Sequence, residues 1–503
     1  MVAIPKLAGA HLPETSLWKN RKCLLICAVV ATANMQYGVD STVMASLQAM
    51  PGFLAVFGHP DPKVAGGYGI DRTFQQLIGS LLTLGAFLSS IFAGAFAHFF
   101  GRRQGLWVAC FLAVLGSAIQ IGTTDKGVVY FGRLIIGIGN GFLVTFSNIY
   151  CAEAAPAHLR AVMVALFSEW VNIGSVLGAV ICNQTQIRLD KSSYQIPLGV
   201  QFIVPVLLAI GLVFVPESPR YLLNKGKEEQ ARRSFKMLRG RSDLRRTLLC
   251  FGVIATQTGS GSWFLISYST YFMVVSGLTV SDAFKYSIMK TCLGFIGVNV
   301  GMVLMRHFLG RRSVMMIGSA TQGLCQLAMA ISATVAPGTL AARNCLIAFT
   351  ALYMFCYNAF VGDASYPVAT EVVSTRLRSW TVGAAISLGY FLAWLTGFCS
   401  PYFINPDAMN WGAKYAYIWA GSNFICGIFF FLFLPELKGR TLEEIDELFE
   451  RGASAWKFKS TKTNIMNEAL REVQEKEGHL IDSKAPVELV DSASTEKVAS
   501  KEE

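Results

Sequence analysis

The chain has 503 residues, of which 53% are hydrophobic and only 15% charged, with a mean hydropathy of +0.45. A soluble chain carries about 25% charged residues, so an ordinary globular enzyme is excluded and most of this chain is placed in hydrocarbon, where charge is costly. The net charge of +11 does not indicate nucleic acid, because the basic residues fall in short loops between apolar runs rather than in a stripe or patch.

In chain order, residues 1–22 are polar and basic and read as a cytoplasmic N-terminus. The apolar run that follows is long enough to span a bilayer, so no cleavable signal peptide is expected. Twelve runs of about 20 residues can each cross a hydrocarbon core of roughly 30 Å as a helix. They are 23–45, 76–97, 105–122, 128–150, 162–182, 197–215, 248–273, 286–305, 313–335, 342–366, 380–403 and 413–434. The expected domains are a six-helix bundle over 23–216, a cytoplasmic central loop with short helices over 217–247, and a second six-helix bundle over 248–434. A cytoplasmic segment and disordered tail over 435–503 completes the chain; from 452 onward it has mixed charge and few aromatics.

The element His98-Phe99-Phe100-Gly101-Arg102-Arg103 recurs as His307-Phe308-Leu309-Gly310-Arg311-Arg312, each copy between two apolar runs. Repeated halves are how many transporters are built. Arginines in 217–247, in these two loops and at Arg376 and Arg378 fall on one side, which the positive-inside rule makes cytoplasmic. With twelve spans, both termini are cytoplasmic. The cysteines show no metal spacing, and Cys27, Cys110, Cys250 and Cys426 among others sit in apolar runs as small hydrophobes. No disulfide framework, metal site or cofactor is expected. Asn183-Gln184-Thr185 is a glycosylation sequon on the outer side, close enough to a helix end to disfavour modification. No phosphate-binding Gly-rich loop or nucleophile elbow is present to suggest an enzyme.

Asp40 lies within the first run, and a carboxylate at that depth points to function. Held between burial, which favours the proton, and an arginine, which favours the charge, a carboxylate can load and release a proton. Glu169 near the start of the fifth run and Asp363 in the tenth are further buried carboxylates. For each, a second protonation site, a contact to a polar substrate and a neutral, hydrogen-bonded structural role stay open. For Glu169, Trp170 beside it favours the structural role. Gly259 and Gly261 beside Gln257 suggest that the seventh helix breaks or bends there. Packing glycines are the alternative.

Pro216-Glu217-Ser218-Pro219-Arg220 follows the sixth run, and Pro435-Glu436-Leu437-Lys438-Gly439-Arg440-Thr441-Leu442-Glu443-Glu444-Ile445-Asp446 follows the twelfth. Gly132-Arg133 opens the fourth run, Glu153 and Arg160 follow it, and Glu371, Arg376 and Arg378 stand after the tenth. Together these resemble the sugar porter family of the major facilitator superfamily. Tyr268-Ser269-Thr270-Tyr271-Phe272 and Asn410-Trp411-Gly412-Ala413-Lys414 resemble its fungal hexose and α-glucoside permease branch. The resemblance covers about residues 20–450. It implies an all-α membrane fold of twelve helices in two pseudo-symmetric six-helix bundles. It also implies transport of a sugar, hexose or disaccharide, by alternating access.

In the proton-coupled members the matching aspartate faces an arginine of the fourth span, here Arg133; a static bridge in a facilitator is the alternative. The resemblance makes Arg102, Arg103, Glu153, Arg160, Glu217, Arg220, Arg311, Arg312, Glu371, Arg376, Arg378 and Glu436 the cytoplasmic gate, with pairs that lock across the bundles. The alternative is that they are interfacial charges that fix topology. For the substrate it points to Ser168, Gln257, Thr258, Trp263, Asn299, Tyr366 and Trp394, with Asp363 standing where the family has a proline. The pattern departs from the family at several of these places. Thr258, Ser168 and Tyr366 replace two glutamines and a tryptophan, and His98 and His307 replace an aspartate. The pocket then suits a disaccharide or a less hydrophilic molecule than glucose. Transport of another small molecule, such as efflux of a secondary metabolite, and a sugar sensor are the competing functions. A monomer in the plasma membrane is expected, with lipid, sugar and protons as its partners.

Overall fold

The structure is a computed structural model, and it describes residues 21–60, 67–154, 160–217, 241–373, 378–405, 408–438, 440, 442–458 and 461. Every expected apolar run is helical, as it must be where no water can satisfy backbone N–H and C=O groups. Among the described residues, eleven helices are long and apolar enough to cross a bilayer, from Arg72–Ala97 to Gly412–Phe433. The first span is present as two shorter pieces, Arg21–Ala31 and Ala33–Leu47. The break falls at Thr32, whose hydroxyl donates back to the Val29 carbonyl at 2.7 Å, a local bond that competes with the helical ladder.

The other broken spans have equally local causes. The sixth runs as Ser192–Val200 and Ile203–Phe214, because Pro205 has no N–H to give to the Gln201 carbonyl. The seventh runs as Arg241–Gly259 and Ser262–Val275. The tenth passes from Leu340–Cys356 through a π-helical turn, Tyr357–Gly362, into Asp363–Val372. The helix of the seventh span begins at Arg241, within the expected central loop, and its segment long and apolar enough to cross a bilayer begins at Arg245. The stretch 225–239 lies outside the described residues.

The halves meet along two seams. The second span (Arg72–Phe99) packs along the eleventh (Arg378–Ile404), and the fifth (Arg160–Thr185) along the eighth (Val280–Val303). The ends of the bundle differ. At the end away from the arginine pairs, one buried cluster joins both halves: Val43, Leu47 and Phe53 pack in the same core as Met273, Val274 and Phe284. A chain of amides ties this end too, with Asn405 donating to Gln75 at 2.9 Å and Gln75 to Gln48 at 3.1 Å. At the basic end the buried clusters of the described residues each belong to one half.

The repeated loop builds the same joint twice. The carboxylate of Glu217 accepts from the backbone N–H of Arg102 at 3.0 Å and of Arg103 at 3.2 Å. Glu436 accepts from the N–H of Arg311 at 2.8 Å. An acid at a helix N-terminus satisfies donors that have no helical partner and meets the positive end of the dipole. Arg103 in turn donates to the Leu212 carbonyl, at 3.1 Å, and Arg312 to the equivalent Phe431 carbonyl. Gly101 takes φ +95°, open to glycine without penalty. Gly310 has no room for a Cβ because the Glu436 carboxylate lies against it.

The C-terminal segment is ordered against the second half as far as it is described, and 459, 460 and 462–503, most of the expected tail, lie outside the described residues. Helix Leu442–Glu450 docks under the second half, burying Ile445, Leu448 and Phe449. Phe458 packs on Phe449 with ring centroids 4.9 Å apart, and the Arg312 guanidinium lies 4.2 Å from the Trp456 ring. Arg246 binds both Asp446 and the Val372 carbonyl.

Candidate functional site

Asp40 is 0% exposed and Arg133 1%. They form a salt bridge of 2.7 Å, and Arg133 Nε donates to the Ile78 carbonyl at 3.0 Å. Two further donors complete the carboxylate: Gln201 at 3.0 Å and Asn140 at 3.5 Å. Ser117 holds the Gln201 amide at 3.2 Å. A buried ion pair persists only when its remaining lone pairs are satisfied in this way. The expected pairing of Asp40 with Arg133 is present in the structure. Its three neutral supports were not foreseen, although Asn140 stands two helical turns after Arg133 on the same face.

The expected break beside Gln257 is present. Gly261 takes φ +78°, the left-handed region, and separates the two pieces of the seventh span. A break in hydrocarbon frees backbone groups that must find partners. The Ser260 carbonyl accepts from Gln326 at 3.1 Å, Tyr353 at 2.8 Å and Asn423 at 2.8 Å. Ser422 donates to the Gly259 carbonyl at 2.6 Å. None of these four partners was singled out in the sequence.

The break aims an aromatic group at the centre of the bundle. Trp263 lies with its ring centroid 6.1 Å from Tyr37 on the first span and 6.5 Å from Tyr390 on the eleventh, both edge-on. Tyr366 packs in the same cluster and meets Phe167 at 4.9 Å. Tyr357 turns its hydroxyl toward Gln257 and Ser262. Gln257, Trp263 and Tyr366 are thus brought together, with Tyr37, Tyr357 and Tyr390 as unforeseen companions.

The other expected substrate contacts fall elsewhere. Thr258 is buried and donates to the Gly389 carbonyl at 3.3 Å, so it serves packing between spans seven and eleven. Trp394 packs beside Phe391 and Phe398, both exposed, rather than against Trp263. Tyr390, one turn earlier on the same side of the helix, is the residue that meets Trp263. Asn299 is exposed, donates to the Phe295 carbonyl at 3.0 Å, and stands beside Glu169. Ser168 stands beside Asp363.

Of the expected gate, Arg311 holds Glu371 with both carboxylate oxygens, at 3.2 and 3.4 Å. This pair, like those of Glu217 and Glu436, lies within one half rather than across the bundles. The side chains of Glu153, Arg160 and Arg378, and all of Arg220 and Arg376, lie outside the described residues, as does the His98 side chain. His307 is exposed beside Phe308. Asn183 sits inside the last helical turn, and its sequon's Thr185 is buried with its hydroxyl on the Ile181 carbonyl at 3.1 Å. That geometry does not present an extended acceptor loop.

Two helical halves joined along two seams, with broken helices at their centre and a buried ion pair inside the first half, define a multi-pass membrane transporter of the major facilitator type. Residues 26–245 and 236–449 match the profile of the family described as "Sugar (and other) transporter", and the chain belongs to that family. It is 28% identical to the major facilitator-type transporter ecdD of Aspergillus rugulosus, over 88% of this chain and 90% of that one. It is 27% identical to the low-affinity glucose transporter HXT4 of Saccharomyces cerevisiae, over 87% of this chain and 82% of that one. The fold is shared with the xylose transporter XylE from E. coli in a partially occluded inward-open conformation. That likeness has a TM-score of 0.66 and 18% identity, covering 84% of this chain and 100% of that one.

Proposed function

We propose that the protein carries a sugar, hexose or disaccharide, across the plasma membrane by alternating access, in symport with a proton. The observation that carries the mechanism is the asymmetry of the two ends. A core and an amide chain join the halves at the far end, whereas the described clusters at the basic end stay within one half. This is the arrangement of a carrier closed to one side. The positive-inside rule puts the basic end in the cytoplasm, so both termini are cytoplasmic and the closed end is the outer one. The hexose transporters among the relatives support a sugar as substrate.

The aromatic centre suits such a substrate. Trp263 and Tyr390 offer flat faces to a pyranose ring, and Gln257, Tyr37, Tyr357 and Tyr366 offer polar groups to its hydroxyls. Asp40 with Arg133 is the coupling pair. A proton on Asp40 removes the charge that holds Arg133, loosening the tie between spans one and four. In the opposite state Glu371 leaves Arg311, and the locks involving Glu153, Arg160, Arg376 and Arg378 close across the halves. The tyrosine-rich, amide-poor pocket favours one second reading, a carrier of a less hydrophilic small molecule. Uptake in a hexose-transporter-null yeast, measured across hexoses, pentoses and α- and β-linked disaccharides, separates the two. Uptake of at least one sugar that an uncoupler abolishes is expected, and failure with every sugar overturns the proposal.

A further inference from the structure

Two carboxyl groups lack the partners that Asp40 has. Asp363, at the head of the last helix of span ten, is 1% exposed, and neither carboxyl oxygen is hydrogen-bonded. Glu169 on span five is 9% exposed and its Oε1 is unpartnered. They lie within electrostatic range of each other but belong to opposite halves, and their helices pack directly together. Toward the outer end, Asn172 and Asn358 bridge the same two spans at 3.1 Å. The seam is therefore closed and polar at this depth.

The surroundings do not neutralise two charges. On span nine, Arg311 is within reach of Asp363, but Glu371 already engages its guanidinium. On span seven, Arg246 is committed to Asp446 and the Val372 carbonyl. On span eight, Lys290 lies further toward the outer end, bonded to Ser269. Span eleven presents Tyr390, and span ten itself presents Tyr357 and Tyr366. The donors at hand are neutral: Ser168 stands beside Asp363 and Asn299 beside Glu169. Buried carboxylates without a cation of their own are costly, and two such groups near one another do not both ionise.

We infer that Glu169 and Asp363 share one proton across the seam between the halves and form a second proton carrier, separate from the Asp40–Arg133 pair. This rests on the symport reading above. The Asp40 network lies wholly in the first half, so rocking leaves its partners in place. The Glu169–Asp363 pair is divided between the halves, so each stroke changes its surroundings. With the outer side open, one proton from water forms an O–H bond on one carboxylate oxygen. When the halves part at the cytoplasmic end, that bond breaks and the proton leaves to cytoplasmic water. The pair is then charged until the outer side opens again.

The test uses the full-length protein in proteoliposomes, comparing wild type, Glu169→Gln, Asp363→Asn and Asp40→Asn. Two readouts are taken: uphill accumulation driven by an imposed proton gradient, and substrate exchange without a gradient. One proton supports up to about 50-fold accumulation at 100 mV. Two coupled protons let wild type exceed that limit, so the expected result for Glu169→Gln and Asp363→Asn is accumulation held to at most the about 50-fold that the remaining Asp40 proton supports, with exchange still measurable, and partial recovery in Glu169→Asp. Exchange shows that the variant folds. If wild type and both variants accumulate equally while Asp40→Asn does not, the second carrier is overturned and symport stands. If wild type itself never accumulates, both fall.

Discussion

Truncating Asp40 to alanine leaves Arg133 as a charge buried at 1% exposure with only the Ile78 carbonyl beside it. Breaking a buried pair from one side costs about 3–5 kcal/mol, so Asp40→Ala is expected to lower the thermal unfolding temperature in detergent sharply. Asp40→Asn, which keeps the shape and an acceptor oxygen, is expected to cost less. Equal unfolding temperatures for wild type and Asp40→Ala would contradict the geometry. Asp40 was legible in the sequence because a charge inside an apolar run stands out. Gln201, Asn140 and Ser117 were not, because neutral amides and hydroxyls are common in spans and reveal their partners only when helices pack. Lys290, also a charge inside an apolar run, is less telling than Asp40. A lysine's long stem can carry its ammonium toward an interface, so its position in the run does not locate its charge. The structure does: it is 4% exposed and bonded to Ser269.

Among the elements, the broken seventh span is the most sensitive to single changes. An added Cβ at Gly261 would stand 2.6 Å from Trp419 and 2.8 Å from Gln326, on a backbone at φ +78°. The left-handed conformation alone costs an L residue about 1–2 kcal/mol. Gly261→Ala is therefore expected to destabilise by at least that much in a chemical or thermal melt, and an unchanged melt would show that the helix is not broken there. The glycines made this break legible; the donors that repair it, Gln326, Tyr353 and Asn423, come from spans nine, ten and twelve and have no local signature. The repeated joint gives a paired prediction. Glu217→Gln and Glu436→Gln each remove a charged cap worth about 1 kcal/mol, and similar losses of stability are expected because the two joints share one geometry. Span eleven shows the limit of matching by position. Trp394 matches the family's substrate aromatic by position, but Tyr390, one turn earlier on the same side of the helix, is the residue that meets Trp263, while Trp394 packs against Phe391 and Phe398.

At the scale of the whole molecule, twelve spans, two halves and the basic face were legible because hydrocarbon imposes length, apolarity and charge asymmetry on the chain itself. Which end is closed was not legible, since it depends on contacts between residues as far apart as Gln75 and Asn405. Asn405→Ala removes the link between the second and eleventh spans at the end away from the arginine pairs. It is expected to shift the population toward the outward-open state, read as faster labelling at the same end in a Ser46→Cys background, a buried position outside the amide chain. Unchanged labelling would mean that the amide chain does not hold this end shut. The central claim is sugar transport driven by a proton gradient. Its most direct test is purified protein in liposomes with an acidic exterior, offered labelled hexoses and disaccharides while internal pH is recorded. The account predicts uptake of at least one sugar with matching internal acidification, both abolished by a protonophore. Sugar uptake with no proton movement, or no sugar uptake at all, would contradict it.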